Sequence, residues 1–159
     1  MDLILWRHAE AEDDTGAGDQ ARELTRKGAK QAERMAAWLD ERMGDDWRVL
    51  VSPAKRTLQT VKPLGREFEV SAAIGTGTNA RALIRATGWP EGRHNVLVVG
   101  HQPTLGEVAA DLLGLPEEGL SVRKGSIWWF TSRDRGGGMV TLLKAVVDTD
   151  LLEAGKSAK

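Results

Sequence analysis

The chain has 159 residues, 41% of them hydrophobic and 28% charged, which suffices for one buried core and is short for two. A formal net charge of -1 argues against a general nucleic-acid binder, and the lack of cysteine excludes disulfide scaffolds, thiolate zinc sites and cysteine nucleophiles. No apolar run approaches the roughly 20 residues of a membrane span, and the start of the chain, with its acidic Asp2, has no leader pattern. We therefore expect a cytoplasmic, monomeric protein without nucleic-acid or membrane partners, with one domain over residues 1–150 and a frayed tail over residues 151–159.

Five apolar runs have the length and the flanking residues of β-strands. They are LILW (3–6), WRVLVS (47–52), NVLVVG (95–100), SIWWFTS (126–132) and MVTLLKAVV (139–147). The third run is continuously apolar, which is typical of a strand that is covered on both faces. The last two runs flank RDRGGG and predict two strands joined by a flexible turn.

Three segments have the apolar spacing or the boundary residues of helices. They are residues 26–43, 53–67 and 103–113. Thr25 is the predicted N-cap of the first helix, and Gly44 ends it. Pro53 and Pro103 suit the first turns of the second and third helices, and Gly114 ends the third.

The alternation of strands and helices predicts a single-domain, three-layer α/β/α sandwich with a mainly parallel central sheet. Ligands of such sheets bind in the loops that follow the strands. Arg7 and His8 follow the first predicted strand, Arg56 comes soon after the second, and His101 follows the third. We expect these ends to lie along one edge of the sheet. Two guanidinium and two imidazole groups in one cleft indicate an anion, most simply a phosphoryl group.

Four stretches of the sequence carry a resemblance to a known family. They are RHAEAE (7–12), RELTRKG (22–28), VSPAKRTLQT (51–60) and VVGHQP (98–103). In this order and spacing they resemble the histidine phosphatase superfamily, and in particular its short SixA-like phosphohistidine phosphatase branch. The resemblance runs from residue 3 to about 113, and more loosely through the last strands. It implies the fold that histidine phosphatases share with phosphoglycerate mutases.

The resemblance also implies the roles of individual residues. His8 would be the nucleophile, and Arg7, Arg56 and His101 would form the phosphate pocket around it. Arg22 matches an arginine that is often found near that pocket and would help to bind the substrate. The implied activity is that of a phosphatase that forms a covalent phosphohistidine intermediate. This chemistry needs no metal and no other cofactor, because imidazole and guanidinium groups supply the nucleophile and the charge.

Two positions depart from the common pattern of the family. The frequent Arg-His-Gly reads Arg7-His8-Ala9, a variation that the short branch accepts. Relatives that act on phosphate esters carry a general-acid carboxylate where this chain has no acidic residue between Glu69 and Glu91. This difference, together with the lack of inserted segments, favours a phosphohistidine in a partner protein, either a phosphorelay domain or a phosphocarrier, as the substrate.

Other interpretations of the same residues stay open. Within the superfamily, the alternative is a small-molecule phosphomonoesterase or mutase, and outside catalysis it is a phosphate-binding module without turnover. A metal hydrolase could use His8, Glu10, Asp13 and His101, although the two arginines would oppose a cation. Arg22 could also be an ordinary surface residue.

Overall fold

The computed structural model describes residues 1–116 and 118–152, which contain a six-stranded β-sheet. In chain order the strands are β1 (Asp2–Arg7), β2 (Trp47–Val51), β3 (Glu69–Val70), β4 (Asn95–Gly100), β5 (Ile127–Asp134) and β6 (Met139–Val147). The α-helices are α1 (Arg26–Arg42), α2 (Lys55–Val61), α3 (Ala80–Thr87) and α4 (Thr104–Leu113). The strands lie in the order β3-β2-β4-β1-β5-β6, in which the first four are parallel and the last two are antiparallel.

Helices cover both faces of this sheet. One core cluster joins Trp6 of β1 to Met35 of α1, and a second joins Leu5 of β1 to Leu105 of α4. Residues 3–6 are all fully buried because alternate side chains of β1 enter the two clusters. The predicted three-layer α/β/α architecture with a mainly parallel sheet is therefore confirmed.

The first and third predicted helices are present with their expected boundary residues. Thr25 Oγ1 accepts a hydrogen bond from Gly28 N at 2.9 Å, which is N-cap geometry, and α1 ends two residues before Gly44. α4 begins directly after Pro103 and ends at Gly114, whose φ of 68° lies in the left-handed region that favours glycine. The bounds of these two helices are confirmed to within one residue, although Pro103 is the N-cap of α4 and does not lie in its first turn.

The second predicted helix is shorter than the sequence indicated. α2 spans Lys55–Val61 rather than residues 53–67, and the chain continues as the 3-10 helix Lys62–Leu64. Pro63 has no N–H for the next α-helical hydrogen bond, so the chain tightens and then turns at Gly65, whose φ is 70°. Pro53 precedes the helix instead of lying in its first turn.

Helix α3 lies in a segment for which the sequence predicted no helix. Asn79 Oδ1 caps it by accepting a hydrogen bond from Ala82 N at 2.9 Å. The helix has eight residues, and Leu83 and Thr87 are its buried ones. Such a short helix shows too few apolar positions for a periodic pattern to be recognised.

The C-terminal strands form the predicted hairpin, with β6 at the edge of the sheet. Thr149–Leu151 is a 3-10 helix, and Leu152 packs against the core cluster that contains α1. Of the segment expected to be frayed, Leu151 is exposed and Leu152 packs, while residues 153–159 lie outside the described part. None of the helices in the described part is long and apolar enough to cross a membrane.

Candidate active site

The ends of β1, β2 and β4 meet at one edge of the sheet. Arg7, the last residue of β1, pairs with Gly100 of β4, and β2 pairs with the other side of β4. Beyond the strands, His8 N still donates a hydrogen bond to Gly100 O at 3.1 Å. As a result, His8, Ser52 and His101, which follow the three strands, lie close together at this edge.

The imidazole of His8 is buried and neutral. Its Nδ1 lies 2.8 Å from Ala9 O, so Nδ1 carries the proton and donates it, and Nε2 keeps its lone pair. Burial, which leaves only 6% of the residue exposed, lowers the pKa of His8 to about 3. The hydrogen bond to Ala9 opposes this shift, whereas the nearby charges of Arg56 and Arg7 add to it. At neutral pH, His8 therefore offers an unprotonated Nε2.

His101 faces His8 across the site, with the two ring centroids 5.3 Å apart. Its Nε2 lies 2.7 Å from Ser52 Oγ, and its Nδ1 lies 3.4 Å from Arg56 Nη2. A guanidinium can only donate, so Nδ1 accepts and the Nε2–H donates to the serine hydroxyl. Burial, followed by the charge of Arg56, lowers the pKa of His101 to about 4. His101 is therefore neutral in the free protein.

Arg56 and Arg7 bring two positive charges to the imidazoles. Arg56 is 4% exposed and donates from Nη1 to Asp19 O at 2.8 Å and from Nη2 to Asp19 Oδ2 at 3.1 Å. Arg7 donates from Nη1 to Val122 O at 3.1 Å. Burial and the charge of Arg56 both lower the pKa of Arg7, which reflects the closeness of the two like charges.

Both of these arginines have a buried Nε that lacks a protein acceptor. Among the described residues, none accepts a hydrogen bond from Nε of Arg7 or of Arg56. A buried donor without a partner costs about 1–3 kcal/mol, and more when it is charged. Two such donors beside two neutral imidazoles match the needs of an oxyanion such as a phosphoryl group.

Arg22 joins this group indirectly, through Asp19. Its Nη1 donates to Asp19 Oδ1 at 3.1 Å, and its Nε donates to Glu12 O at 2.7 Å. The other oxygen of the same carboxylate accepts from Arg56. The hydrogen bonds from Arg22 and then Arg56 lower the pKa of Asp19. The structure thus places Arg22 at the rim of the site, where Asp19 lies between it and Arg56.

Three supporting residues were not singled out from the sequence: Asp19, Ser52 and Thr60. Thr60 Oγ1 accepts from Ala9 N at 3.0 Å and donates to Arg56 O at 2.7 Å, so α2 holds the residue that follows the buried imidazole. Ser52 and Thr60 lie within VSPAKRTLQT, where their hydroxyl groups were a usable signal. Asp19 lies in a glycine-rich loop and had no such signal.

The carboxylate of Glu10 is directed to the start of α1. Its Oε2 accepts a hydrogen bond from Thr25 Oγ1 at 2.7 Å. Within residues 1–116 and 118–152, no three imidazole and carboxylate side chains are arranged to hold a metal ion. The set His8, Glu10, Asp13 and His101, considered for a metal hydrolase, is therefore not assembled as a metal site there.

A solvent-facing cleft of about 310 Å³ adjoins Arg7. Lys27, Arg123 and Lys124 are among its lining residues. Arg123 forms an ion pair with Asp148, whereas Lys27 and Lys124 form none with the described residues. Glu10, Asp148 and Asp150 also line the cleft, so its lining beside the candidate phosphate pocket is mixed in charge and includes the lysines Lys27 and Lys124.

Known proteins match this chain over most of its length. The family model of the histidine phosphatase superfamily (branch 1) matches residues 3–79. The phosphohistidine phosphatase SixA homolog of Haemophilus influenzae is 32% identical in an alignment 130 positions long, which covers 72% of this chain and 78% of that protein. Phosphohistidine phosphatase SixA of Escherichia coli is 32% identical in an alignment 122 positions long, which covers 70% of this chain and 74% of that protein.

Solved structures agree with these matches. The structure of the protein histidine phosphatase SixA complexed with tungstate is 26% identical, has a TM-score of 0.73, and aligns over 94% of this chain and 98% of its own. A phosphoserine phosphatase from Entamoeba histolytica, at 20% identity and a TM-score of 0.71 over 95% and 99% of the two chains, shares the fold. The SixA-like resemblance found in the sequence is confirmed, and the chain belongs to the histidine phosphatase superfamily.

Proposed function

We propose that this protein is a metal-independent phosphohistidine phosphatase that hydrolyses N–P bonds in a partner protein through a covalent intermediate on His8. One observation carries the proposal: a neutral imidazole with a free Nε2 lies with two guanidinium groups whose buried Nε atoms have no acceptor among the described residues. An imidazole nucleophile and oxyanion donors are the two requirements of phosphoryl transfer without a metal.

The reaction proceeds in two displacements at phosphorus. In the first, His8 Nε2 forms a bond to phosphorus while the P–N bond of the substrate breaks. The electron pair of that bond returns to the substrate nitrogen. If the other ring nitrogen of the phosphohistidine carries a proton, the histidine side chain of the substrate leaves as a neutral imidazole. In the second, water attacks phosphorus, the bond to His8 breaks, and inorganic phosphate departs. The hydrogen bond from Nδ1 to Ala9 O keeps the ring oriented throughout.

Arg7 and Arg56 stabilise the equatorial oxygens of the phosphoryl group in both steps, since guanidinium donors match oxyanions in charge and geometry. His101 is neutral in the free protein because its pKa is about 4. A bound phosphoryl dianion raises the pKa of a neighbouring imidazole. We therefore expect His101 to gain a proton with the substrate and to become a third positive donor.

The placement of carboxylates favours N–P bonds over alkyl O–P bonds. An alkoxide leaves with the help of a positioned acid, which contributes about 100- to 10,000-fold, whereas imidazole, with a pKa near ~6.5, leaves readily. Asp19 and Glu10, the two carboxylates that are linked to the site by hydrogen bonds or by sequence, already accept hydrogen bonds from other residues. Asp19 is bound by two arginines that lower its pKa, and Glu10 accepts a hydrogen bond from Thr25. Asp19 is therefore not suited to be a protonated acid, and the Glu10 carboxylate is directed away from the phosphate pocket to the start of α1.

The proposed partner is a phosphohistidine-bearing protein of a phosphorelay or a phosphocarrier system, in cytoplasmic signal transduction. The relatives from Haemophilus influenzae and Escherichia coli carry the name phosphohistidine phosphatase SixA. The cleft beside Arg7 is open to solvent, and its Lys27 and Lys124 can contact acidic groups of a partner. Both observations support a protein substrate over a small enclosed one.

Trapping of the intermediate tests this proposal. A brief reaction with a radiolabelled phosphohistidine protein should leave acid-labile, alkali-stable phosphate on His8. His8→Ala should remain folded, because the side chain makes one hydrogen bond to its own neighbour, and it should lose turnover. Tungstate should inhibit the wild type, and EDTA should leave its activity unchanged.

Different results would favour the other interpretations. Turnover at the wild-type rate in His8→Ala would rule out the covalent mechanism. Activity that EDTA removes and zinc restores would favour a metal hydrolase. Oxyanion binding without turnover of any phosphohistidine protein or phosphate ester would favour a phosphate-binding module.

A further inference from the structure

We infer that Asp19 is a positioning residue that sets the orientation of the phosphate-binding arginines, a role that rests on the proposed function. Asp19 is the first residue of the 3-10 helix Asp19–Ala21, in the loop between β1 and α1. Its side chain is 51% exposed, and it makes no hydrogen bond to His8 or His101 within the described structure. Its side-chain hydrogen bonds go to Arg22 and Arg56, so its structural effect passes through these two arginines, while its charge also opposes the lowering of the pKa of His101.

Asp19 holds one end of the Arg56 guanidinium. Nη1 donates to Asp19 O and Nη2 donates to Asp19 Oδ2, so the two terminal nitrogens are both engaged by the same residue. In the planar guanidinium, the Nε–H and the second Nη2–H lie along a different edge. On that edge, Nη2 lies 3.4 Å from His101 Nδ1, whereas no described residue accepts a hydrogen bond from the buried Nε. Asp19 thus holds the terminal edge of Arg56 and leaves the Nε–H for an oxyanion.

The same carboxylate also joins Arg22 to Arg56. Oδ1 accepts from Arg22 Nη1 and Oδ2 accepts from Arg56 Nη2, each at 3.1 Å. The two guanidinium groups carry like charges that repel each other, and the carboxylate between them offsets this repulsion. Asp19 therefore allows both cations to stay at one rim of the site.

The backbone around Asp19 has supports of its own. Asp14 Oδ1 accepts hydrogen bonds from the backbone N of Gly16 and of Gly18, and Gln20 Nε2 donates to Thr76 Oγ1 at 3.1 Å. Gly18, directly before Asp19, has a φ of 101°, a conformation that other residues rarely adopt. The loop thus presents Asp19 as a supported anchor, which fits a positioning role better than that of an anion competing with the substrate.

Asp19→Asn tests this role with little change in size. The amide keeps one acceptor but loses the charge and the second acceptor, so it cannot bind both arginines as the carboxylate does. We expect kcat/KM for a phosphohistidine protein to fall about tenfold or more, mainly through kcat, because displaced donors matter most where charge develops. Asp13→Asn is the matched control. It removes the same charge from the same loop, and Asp13 makes no hydrogen bond to an arginine in the described structure, so wild-type kinetics should remain.

A double-mutant cycle separates positioning from a general structural role. Arg56→Lys removes the planar guanidinium whose two terminal nitrogens Asp19 binds. In this background, Asp19→Asn should therefore lower kcat/KM less than about twofold. An undiminished loss in that background would overturn the inference. A single Asp19→Asn variant with kcat/KM equal to or above that of the wild type would overturn it as well and would identify Asp19 as a competitor for the pocket.

Tungstate binding, followed by calorimetry, gives a readout that needs no turnover. Asp19→Asn should bind tungstate about tenfold more weakly than the wild type, and Asp13→Asn should bind it equally well. If wild type and Asp19→Asn bind tungstate with the same Kd, the inference fails and the proposed function stands. If the wild type neither binds tungstate nor hydrolyses phosphohistidine proteins, the proposed function fails, and the inference fails with it.

Discussion

At the scale of single residues, one hydrogen-bond donor of the Arg7 guanidinium binds the protein backbone and another is left for a ligand. Its Nη1 is bound to Val122 O, which fixes the guanidinium plane, while its Nε has no acceptor among the described residues. A lysine at this position could supply a charge but not a planar set of donors. The contribution of Arg7 therefore depends on geometry as well as on charge.

Arg7→Ala should lower kcat/KM by roughly 100-fold, or about 3 kcal/mol, which is typical for the loss of one preorganised donor. Arg7→Lys should recover little of this loss. Arg133→Ala, which removes an exposed arginine near the end of β5, is the control and should leave steady-state kinetics unchanged. A lysine variant with nearly wild-type activity would contradict the requirement for bidentate geometry.

The buried imidazoles make the stability of the fold depend on pH. The pKa of His8 is about 3 in the folded protein, below the ~6.5 of an unfolded chain, so the unfolded state binds the proton first. The free energy of unfolding should therefore fall as the pH drops from about 6.5 towards 3. The contribution of His8 alone reaches about 2 kcal/mol between pH 7 and pH 5.

Urea unfolding of the wild type and of His8→Asn at pH 7 and pH 5 measures this contribution. The asparagine amide can still donate to Ala9 O but does not titrate. The difference between the two proteins at pH 7 reports the change in packing, and the wild type should lose more stability than the variant on going to pH 5. Equal losses in both proteins would show that the folded-state pKa of His8 is not depressed.

The sequence was sufficient to predict that four polar residues come together, namely Arg7, His8, Arg56 and His101. Each of them follows an apolar strand or lies in a recognisable motif, and parallel strands bring such positions to one edge. Asp19 could not be predicted in this way. Its contact with Arg56 joins positions 37 residues apart and depends on the path of a glycine-rich loop, which has no periodicity.

At the scale of elements, the first turn of α1 packs directly against the segment that carries His8, the proposed nucleophile. A Cβ added to Gly28 would lie 1.9 Å from Glu10 O, which is backbone that cannot rotate away. Thr25 links the same two segments, because its hydroxyl caps Gly28 N and donates to Glu10 Oε2. The helix therefore holds the backbone two residues beyond His8.

Gly28→Ala should destabilise the protein by about 1–3 kcal/mol, as overpacking in a close-packed region does, and should lower kcat/KM by displacing this backbone. Gly44→Ala is the control, because nothing lies within 4 Å of the Cβ that it would add. Thermal unfolding and steady-state kinetics of both variants provide the comparison. A Gly28→Ala protein as stable and as active as Gly44→Ala would disprove the close approach.

The same scale shows where sequence patterns suffice and where they do not. The boundaries of α1 and α4 could be predicted because a capping threonine and a left-handed glycine mark them locally. The predicted end of α2 lies too late in the chain, because Pro63 has no N–H and ends the α-helical hydrogen bonding before residue 67. α3 escaped prediction because two turns carry too little periodicity.

At the scale of the whole molecule, we expect the distribution of carboxylates to determine which leaving groups can depart. We expect kcat/KM for a phosphohistidine protein to exceed that for a serine phosphopeptide or a sugar phosphate by about 100-fold or more. The reason is that no general acid has been identified that would protonate an alkoxide leaving group. An activated aryl ester such as p-nitrophenyl phosphate should turn over slowly. Comparable kcat/KM values for an alkyl ester and the phosphohistidine protein would reveal an acid and favour a phosphomonoesterase or mutase.

The central place of β1 also has a consequence for how the protein is made. Leu3 pairs on one side with Val96 and on the other with Phe130, so β1 can be paired on both sides only after β5 has been synthesised. At ~5–20 residues per second, this takes roughly 6–25 s of translation after β1 itself. His8, the proposed nucleophile, follows this strand directly, so a nascent chain without β5 should have neither a finished sheet nor phosphatase activity.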